Sequence, residues 1–247
     1  MGLDGWQDEQ LPGFIHKLDR DEKFTFACHK GVGCFTECCR LLDLALTPYD
    51  ILRLRRATGL DSRVLLDRYV IIEQETDGAF PRLYLTMVDD GRGSCPFVSP
   101  NGCSVYQHRP GACRVYPLGR ATSRDRSGKI EEQFVLLKEE HCRGFEENTP
   151  QVAERYGIEQ GMTEYFLFND ALAALLHNEK TCQGFRPTTT EKELFILAIY
   201  NLDEWRGILL RGTYDSIDSN TAHTMGKSTD EELLLFSLNW LSERIFG

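Results

Sequence analysis

Residues 26–42 read FACHKGVGCFTECCRLL and set four cysteines, Cys28, Cys34, Cys38 and Cys39, within twelve residues. A second stretch, residues 91–120, holds three more cysteines among four prolines and five glycines. The second stretch cannot form a long helix, because Gly and Pro interrupt it, and it reads as loops and tight turns. Turn residues bury little apolar area, so loops of this length need something else to hold them in place. The candidates are disulfides, a bound metal or cluster, a reactive thiol, or a packed turn in which each thiol behaves as a small hydrophobe. Density argues against the last, since four thiols in twelve residues far exceed ordinary usage.

The thiols are unevenly spread. Eight of the nine lie between positions 28 and 142, and Cys182 stands alone beyond them. Their spacing is Cys28-x5-Cys34-x3-Cys38-Cys39, then Cys95-x7-Cys103-x9-Cys113, then Cys142. The N-terminal residues are acidic where a secretory signal would be basic, and no apolar run follows. No stretch approaches the ~18 apolar residues that a membrane span needs. The expected compartment is therefore the cytoplasm, where thiols stay reduced, and an odd count also fits disulfides poorly. A formal net charge of −10 disfavours nucleic-acid phosphates as partners.

Soft thiolates at short spacing select zinc, cuprous copper or iron–sulfur clusters. A zinc ribbon would show two Cys-x2-Cys knuckles roughly 15–20 residues apart, and this chain has none. Four thiolates satisfy one zinc ion or one 4Fe–4S cluster, so eight suffice for two centres. Side chains of adjacent residues are expected to diverge, which directs Cys38 and Cys39 to different irons or to different centres. With two centres, the ligands are expected to interleave between the two cysteine-rich stretches. Gly31, Gly33, Gly93, Gly102 and Gly111 permit close backbone approach, and their neighbouring N–H groups can face sulfur. Arg109, Arg114 and Arg120 are candidates to offset thiolate charge. His29 and His108 are candidate ligands, with solvated imidazoles as the plainer reading. Tyr106, Arg109-Pro110 and Tyr116 read more simply as a turn and a core contact. Cys182 reads equally well as a small buried side chain.

The rest of the chain is more conventional. Hydrophobic residues make up 41% of it, enough for a packed core. Thr47, Pro48 and Asp50 open a helix that Gly59 closes, and a second helix is expected from Asp61 through Tyr69. Residues 82–88 and 133–138 alternate like strands. Residues 163–176 carry Tyr165, Phe168, Leu172 and Leu175 on one helical face. Capping boxes are expected at Thr190/Glu193 and at Ser228/Glu231, each before an apolar helix, with a polar loop over 211–228 between those helices. Cys142-x-Gly144-Phe145 is echoed by Cys182-x-Gly184-Phe185. The expected fold is α+β and predominantly helical, with a loop-rich cysteine region and a few short strands. It reads as a cysteine-cluster region over 1–148 and a helical region over 149–247, in one domain or two.

At these residues the chain resembles the YkgJ family of cysteine-cluster proteins, also described as zinc- or iron-chelating. That family opens on Cys-x2-Cys-x2-Cys-Cys followed by a Leu-Thr-x2-Asp helix start. Cys28, Cys34, Cys38-Cys39 and Leu46-Thr47-Pro48-Tyr49-Asp50 correspond, with both spacers before the Cys pair lengthened. Its second block corresponds to Cys95-Pro96-Phe97, Gly102-Cys103-Ser104-Val105-Tyr106 and Arg109-Pro110-Gly111-Ala112-Cys113-Arg114-Val115-Tyr116-Pro117. The resemblance spans roughly residues 24–145 and implies metal or iron–sulfur binding, with no settled reaction attached. Flagellin lysine methylases carry a similar cluster, but Gly31-Val32-Gly33 alone makes no convincing S-adenosylmethionine loop. The first expectation is thus an iron–sulfur protein with one or two 4Fe–4S clusters ligated by Cys28, Cys34, Cys38, Cys39, Cys95, Cys103, Cys113 and Cys142, serving a redox protein partner. A zinc-binding structural or interaction module, and a cluster-containing protein-modifying enzyme, are the alternatives.

Overall fold

The structure is a computed structural model that describes residues 12–75, 78–124, 130–212, 214 and 216–247. The N-terminal segment read for targeting signals lies outside the described residues, apart from its last few positions. The fold is α+β and predominantly helical. The chain forms two compact units that interleave along the sequence. The first is built from residues 1–42, 89–106 and 111–164, and the second from 43–88, 107–110 and 165–247.

The first unit carries the cysteines from Cys28 to Cys142. Its main sheet has three antiparallel strands in the order Ile15–Leu18, Ile130–Leu137, Leu118–Arg124. Register pairs Ile15 with Leu137 and Leu118 with Leu136. The central strand starts three residues before the expected 133 and ends at 137. Alternation sends Phe134 and Leu136 inward with Leu18 and Leu118, leaving Glu131 exposed. A separate pair joins Lys23–Thr25 to Pro150–Val152 and leads into the helix Ala153–Glu159. Phe24 meets Tyr156 edge-on, and Phe26 meets Tyr116 and Phe145 at ring-centroid distances of 5.9 and 5.4 Å. Burying a Phe contributes about 1.5–3 kcal/mol, so this aromatic group is the principal apolar anchor beside the loops.

The expected all-loop region over 91–120 holds more structure than its composition announces. Val98–Ser99 pairs with Gly102–Cys103, and a short helix spans Gly111–Val115. The Gly102 turn takes φ 109°, a conformation that glycine adopts without a side-chain penalty.

The second unit is helical. The helix Pro48–Thr58 has the expected box, with Asp50 N–H donating to the Thr47 hydroxyl and Thr47 N–H to the Asp50 carboxylate, and Gly59 closes it at φ 67°. Ser62–Tyr69 follows, capped by Asp61. Strand Arg82–Leu85 is shorter than the expected 82–88 and pairs with Val70–Glu73, while Leu44 and Leu46 bond along its other edge. The remaining helices are Thr163–Leu176, Glu179–Cys182, Thr189–Ile199, Leu202–Arg211, Ser219–Gly226 and Asp230–Phe246.

Three expectations shift here. The boxes form at Thr188/Glu191 and Thr229/Glu232 rather than at Thr190/Glu193 and Ser228/Glu231. Both sequences fit the capping pattern twice, and at the second of them side-chain competition decides. Ser228 Oγ donates back to the Met225 carbonyl, and Glu231 is drawn to Arg56. The segment read as a loop over 211–228 contains the helix Ser219–Gly226, capped by Asp218. The apolar helix expected after the Thr190/Glu193 box is two helices, Thr189–Ile199 and Leu202–Arg211, broken at Tyr200-Asn201.

Arg55 pairs with Asp203 and Asp230 at 2.8 and 2.7 Å, and Arg206 with Asp230 at 2.7 Å. Burial opposes ionisation of Asp230, but the two guanidinium groups outweigh it and hold the carboxyl below its usual range. Deeper in this unit, the Trp205 indole N–H donates to Ser237 Oγ at 2.9 Å, and both residues are wholly buried. Ser237→Ala leaves that donor without an acceptor and is expected to cost about 1–3 kcal/mol, read as a lower urea midpoint at unchanged slope.

Candidate metal centre

Residues 26–42 fold largely as a chain of turns. Val32 N–H donates to His29 O, Phe35 to Val32, Glu37 to Cys34 and Cys39 to Thr36, all at 2.9–3.0 Å. Glu37–Cys39 is a single 3-10 turn. Thr36 and Leu41 flank it at φ 71° and 50°, positions where non-glycine residues carry about 1–3 kcal/mol of strain.

A short antiparallel ladder then joins this stretch to the second block. Leu41 N–H donates to Gly93 O and Cys95 N–H to Cys39 O, both at 2.8 Å, and Arg40 bridges Ser94. The Arg40 guanidinium donates to Ser94 Oγ at 2.5 Å. Cys39 is thereby set beside Cys95. Cys95 leads into the Val98–Ser99/Gly102–Cys103 pair, which carries Cys103, and Cys113 rides on the helix Gly111–Val115.

The third segment is tied at Cys28 and Cys34. Ala27 N–H donates to Gly144 O at 3.0 Å, and Arg143 N–H donates to Cys34 Sγ at 3.1 Å. Gly144 is required by contact: a Cβ there would lie 2.5 Å from the Phe26 ring and 2.8 Å from the Ala27 carbonyl oxygen.

These three connections bring the eight cysteines into two neighbourhoods. Cys39 feels Cys38, Cys95 and Cys113, and Cys95 feels Cys103 and Cys38. Cys28, Cys34, Cys38 and Cys142 line one cavity with Phe26, Val32, Tyr116, His141 and Gly144. Each neighbourhood draws on more than one cysteine-rich stretch. No disulfide forms among the described residues, and no three His, Cys, Asp or Glu side chains there close to single-ion coordination.

The adjacent pair departs from the expected divergence. Cys38 and Cys39 lie within hydrogen-bond reach of one another. Successive side chains of a 3-10 turn stand about 120° apart, so the turn itself does not converge the two thiols; they meet because their side chains reach toward one another. Donation from Cys39 draws the Cys38 thiol down to about 7 against the burial that would raise it. Cys39 is pushed up by the same bond, by burial, and by the crowding of Cys38, Cys95 and Cys113. Burial raises Cys95, although the N–H groups of Phe97 and Val98 point at its sulfur and oppose the rise. Burial also raises Cys142, opposed by the Tyr116 hydroxyl and the Gly144 N–H. So many thiols cannot ionise together in this space without a cation to offset them. A soft metal supplies that offset, and backbone N–H groups aimed at sulfur are the surroundings metal thiolates use.

Other sequence candidates fall elsewhere. His29 is exposed, accepts from Gly31 N–H and faces Glu147 at 3.4 Å. His108 and Arg109 belong to the second unit. Arg114 donates to the Gln160 carbonyl, and Arg120 pairs with Glu132 at 2.5 Å. Cys182 is exposed in the second unit rather than buried, its sulfur 3.7 Å from the His177 carbonyl oxygen. Tyr116 is more than the expected core contact, since it borders the Cys142 neighbourhood together with His141 and Glu139. Its place inside the Cys113-Arg-x-Tyr-Pro run, and the adjacency of His141 to Cys142, were the signals available in sequence.

Thiols gathered from three stretches by backbone ties, with N–H groups aimed at their sulfurs, define a cysteine-cluster metal-binding domain. The chain belongs to the CxxCxxCC family, described as "Putative zinc- or iron-chelating domain", whose model matches residues 27–159, more than half of the 247. No curated protein and no solved structure was found to match. Metal chelation by this region follows from the family. Among the described residues no helix is long and apolar enough to cross a membrane.

Two outcomes are expected. Gly144→Ala forces the Phe26 ring or the Ala27 backbone to move, costing about 1–3 kcal/mol and lowering the metal bound per chain, measured by elemental analysis beside a melting curve. In the metal-free protein, alkylation at Cys38 should rise as pH climbs through about 7, because its thiolate is the favoured form above that value. Cys39→Ala removes the donor and should move the midpoint up towards ~8.5.

Proposed function

We propose that the eight cysteines hold two four-thiolate iron–sulfur centres. One uses Cys39, Cys95, Cys103 and Cys113; the other uses Cys28, Cys34, Cys38 and Cys142. The observation that carries this reading is the division of the thiols into two neighbourhoods that meet at Cys38-Cys39. The lining of one cavity by Cys28, Cys34, Cys38 and Cys142 supports grouping Cys38 with the second set. Cys39 goes with Cys95, its ladder partner, and with Cys113.

A 4Fe–4S cluster takes four thiolates and supplies one-electron chemistry when bound. This chain's residues orient the sulfurs and moderate their charge. Arg143 N–H does so at Cys34, those of Phe97 and Val98 at Cys95, and that of Gly144 at Cys142. Phe26 and Val32 form the apolar side of the cavity and limit water. Cys28, Cys38 and Cys113 are exposed, so both sets reach the surface, as electron exchange with a redox protein partner in the reducing cytoplasm requires. A zinc reading uses the same thiols, and the family description includes zinc. In that case the region is a structural module without redox chemistry.

Protein purified without oxygen and analysed for iron, zinc and sulfide separates these readings. The proposal expects a brown protein. Cys38→Ser and Cys39→Ser should each lose about half the iron, and the double variant nearly all of it. A colourless, zinc-loaded protein overturns the iron–sulfur assignment. Complete loss of metal from both single variants overturns the two-centre arrangement.

A further inference from the structure

The Tyr116 side chain stands where the cavity of Cys28, Cys34, Cys38 and Cys142 meets the aromatic core. Its ring packs edge-on to Phe26, at 5.9 Å between centroids, and its carbonyl accepts from the Tyr156 hydroxyl at 2.6 Å. The residue is thus held at both the ring and the backbone. Its hydroxyl oxygen is inaccessible to water and, although it approaches Cys142 and Glu139, completes no well-aligned hydrogen bond with either. The groups it faces are Cys142 and Glu139.

A buried hydroxyl left unpaired costs about 1–3 kcal/mol, and such groups call for an explanation in a bound partner or a functional role. A phenol has one proton to give, and the partners that face it are acceptors once ionised. Metal binding converts the Cys142 thiol to a thiolate, a far better acceptor than a neutral thiol. The Cys142 sulfur already receives the Gly144 N–H. A second donor from the opposite, aromatic side would complete its surroundings.

We infer that Tyr116 is a positioning residue for the centre containing Cys142, its hydroxyl donating to Cys142 Sγ in the metal-bound protein. This rests on Cys142 being a ligand, as proposed above, but not on which metal it binds. The donor withdraws charge from that thiolate, lowering its reactivity and favouring the reduced form of an attached redox centre. It acts on one centre of the two, so their properties should differ. Its position, three residues after Cys113, means that the helix carrying a ligand of one centre leads directly to the tuning group of the other.

The test compares Tyr116→Phe with the parent as metal-loaded, full-length chains. Tyr156→Phe is a control that frees the Tyr116 backbone but keeps the phenol. The first readout is the rate of iodoacetamide alkylation at Cys142, resolved by mass spectrometry, which does not depend on the identity of the metal. Tyr116→Phe should keep the parental metal content and alkylate at Cys142 about tenfold faster or more, the factor that a hydrogen bond to a charged acceptor carries. Tyr156→Phe should match the parent. If the protein proves to hold iron–sulfur clusters, the potential of the centre retained in Cys39→Ser should also shift downward on adding Tyr116→Phe, and that retained in Cys38→Ser should stay unchanged. Equal Cys142 alkylation rates in Tyr116→Phe and parent overturn the inference. So does an equal acceleration by Tyr156→Phe, which would make the effect one of loosened structure. A zinc-loaded protein with faster Cys142 alkylation in Tyr116→Phe upholds the inference while removing the iron–sulfur reading. Cys142 that alkylates at a free-thiol rate in the loaded parent removes both.

Discussion

Two backbone hydrogen bonds, Leu41 N–H to Gly93 O and Cys95 N–H to Cys39 O, join the cysteine stretches that sequence keeps more than fifty residues apart. The Arg40–Ser94 contact lies between them and adds a side-chain tie. The ladder places Cys39 against Cys95, and the hairpin bearing Cys103 continues from it. A matching tie at the other end, Ala27 to Gly144 and Arg143 to the Cys34 sulfur, brings in Cys142. Neither tie buries much apolar surface. The loops borrow rigidity from the aromatic group around Phe26, and in the loaded protein from the metal itself.

The same closeness that makes the site also makes it costly without a cation. Burial and mutual repulsion raise Cys39, Cys95 and Cys142, while the Cys39–Cys38 hydrogen bond lets a single thiolate form near neutrality. Thr36 and Leu41 add backbone strain at the turn that carries the adjacent pair. Strain and like-charge crowding at one place are what a ligand-holding site looks like before its ligand is counted. The second unit shows the opposite design: capping boxes, a buried Trp205–Ser237 bond and the Asp230 ion pairs are all satisfied within the protein.

Much of this was legible in the residues. Thiol density marked the metal region, and helix starts with a single strong signal, such as Thr47-Pro48-x-Asp50, were read at the right residue. Where the sequence offered two equivalent signals it misled by a residue or two, because Arg56 competes for Glu231 and the Met225 carbonyl competes for Ser228. The helix Ser219–Gly226 escaped notice because its apolar residues are few and its stabilisation comes from packing against Leu202–Arg211. Sequence separation hides that Arg120 on one strand pairs with Glu132 on its neighbour.

The sequence by itself determined the chemistry: eight thiols in glycine- and proline-rich chain, too dense to be ordinary core and suited to a soft metal. It also determined the family, since the motif is local and survives changed spacers. Only the tertiary structure decided which thiols are neighbours, that Cys38 and Cys39 reach toward one another, and that Tyr116 faces Cys142. Ligand type is a property of single residues, whereas proximity here depends on long-range ladder bonds and aromatic packing between segments that no local pattern encodes.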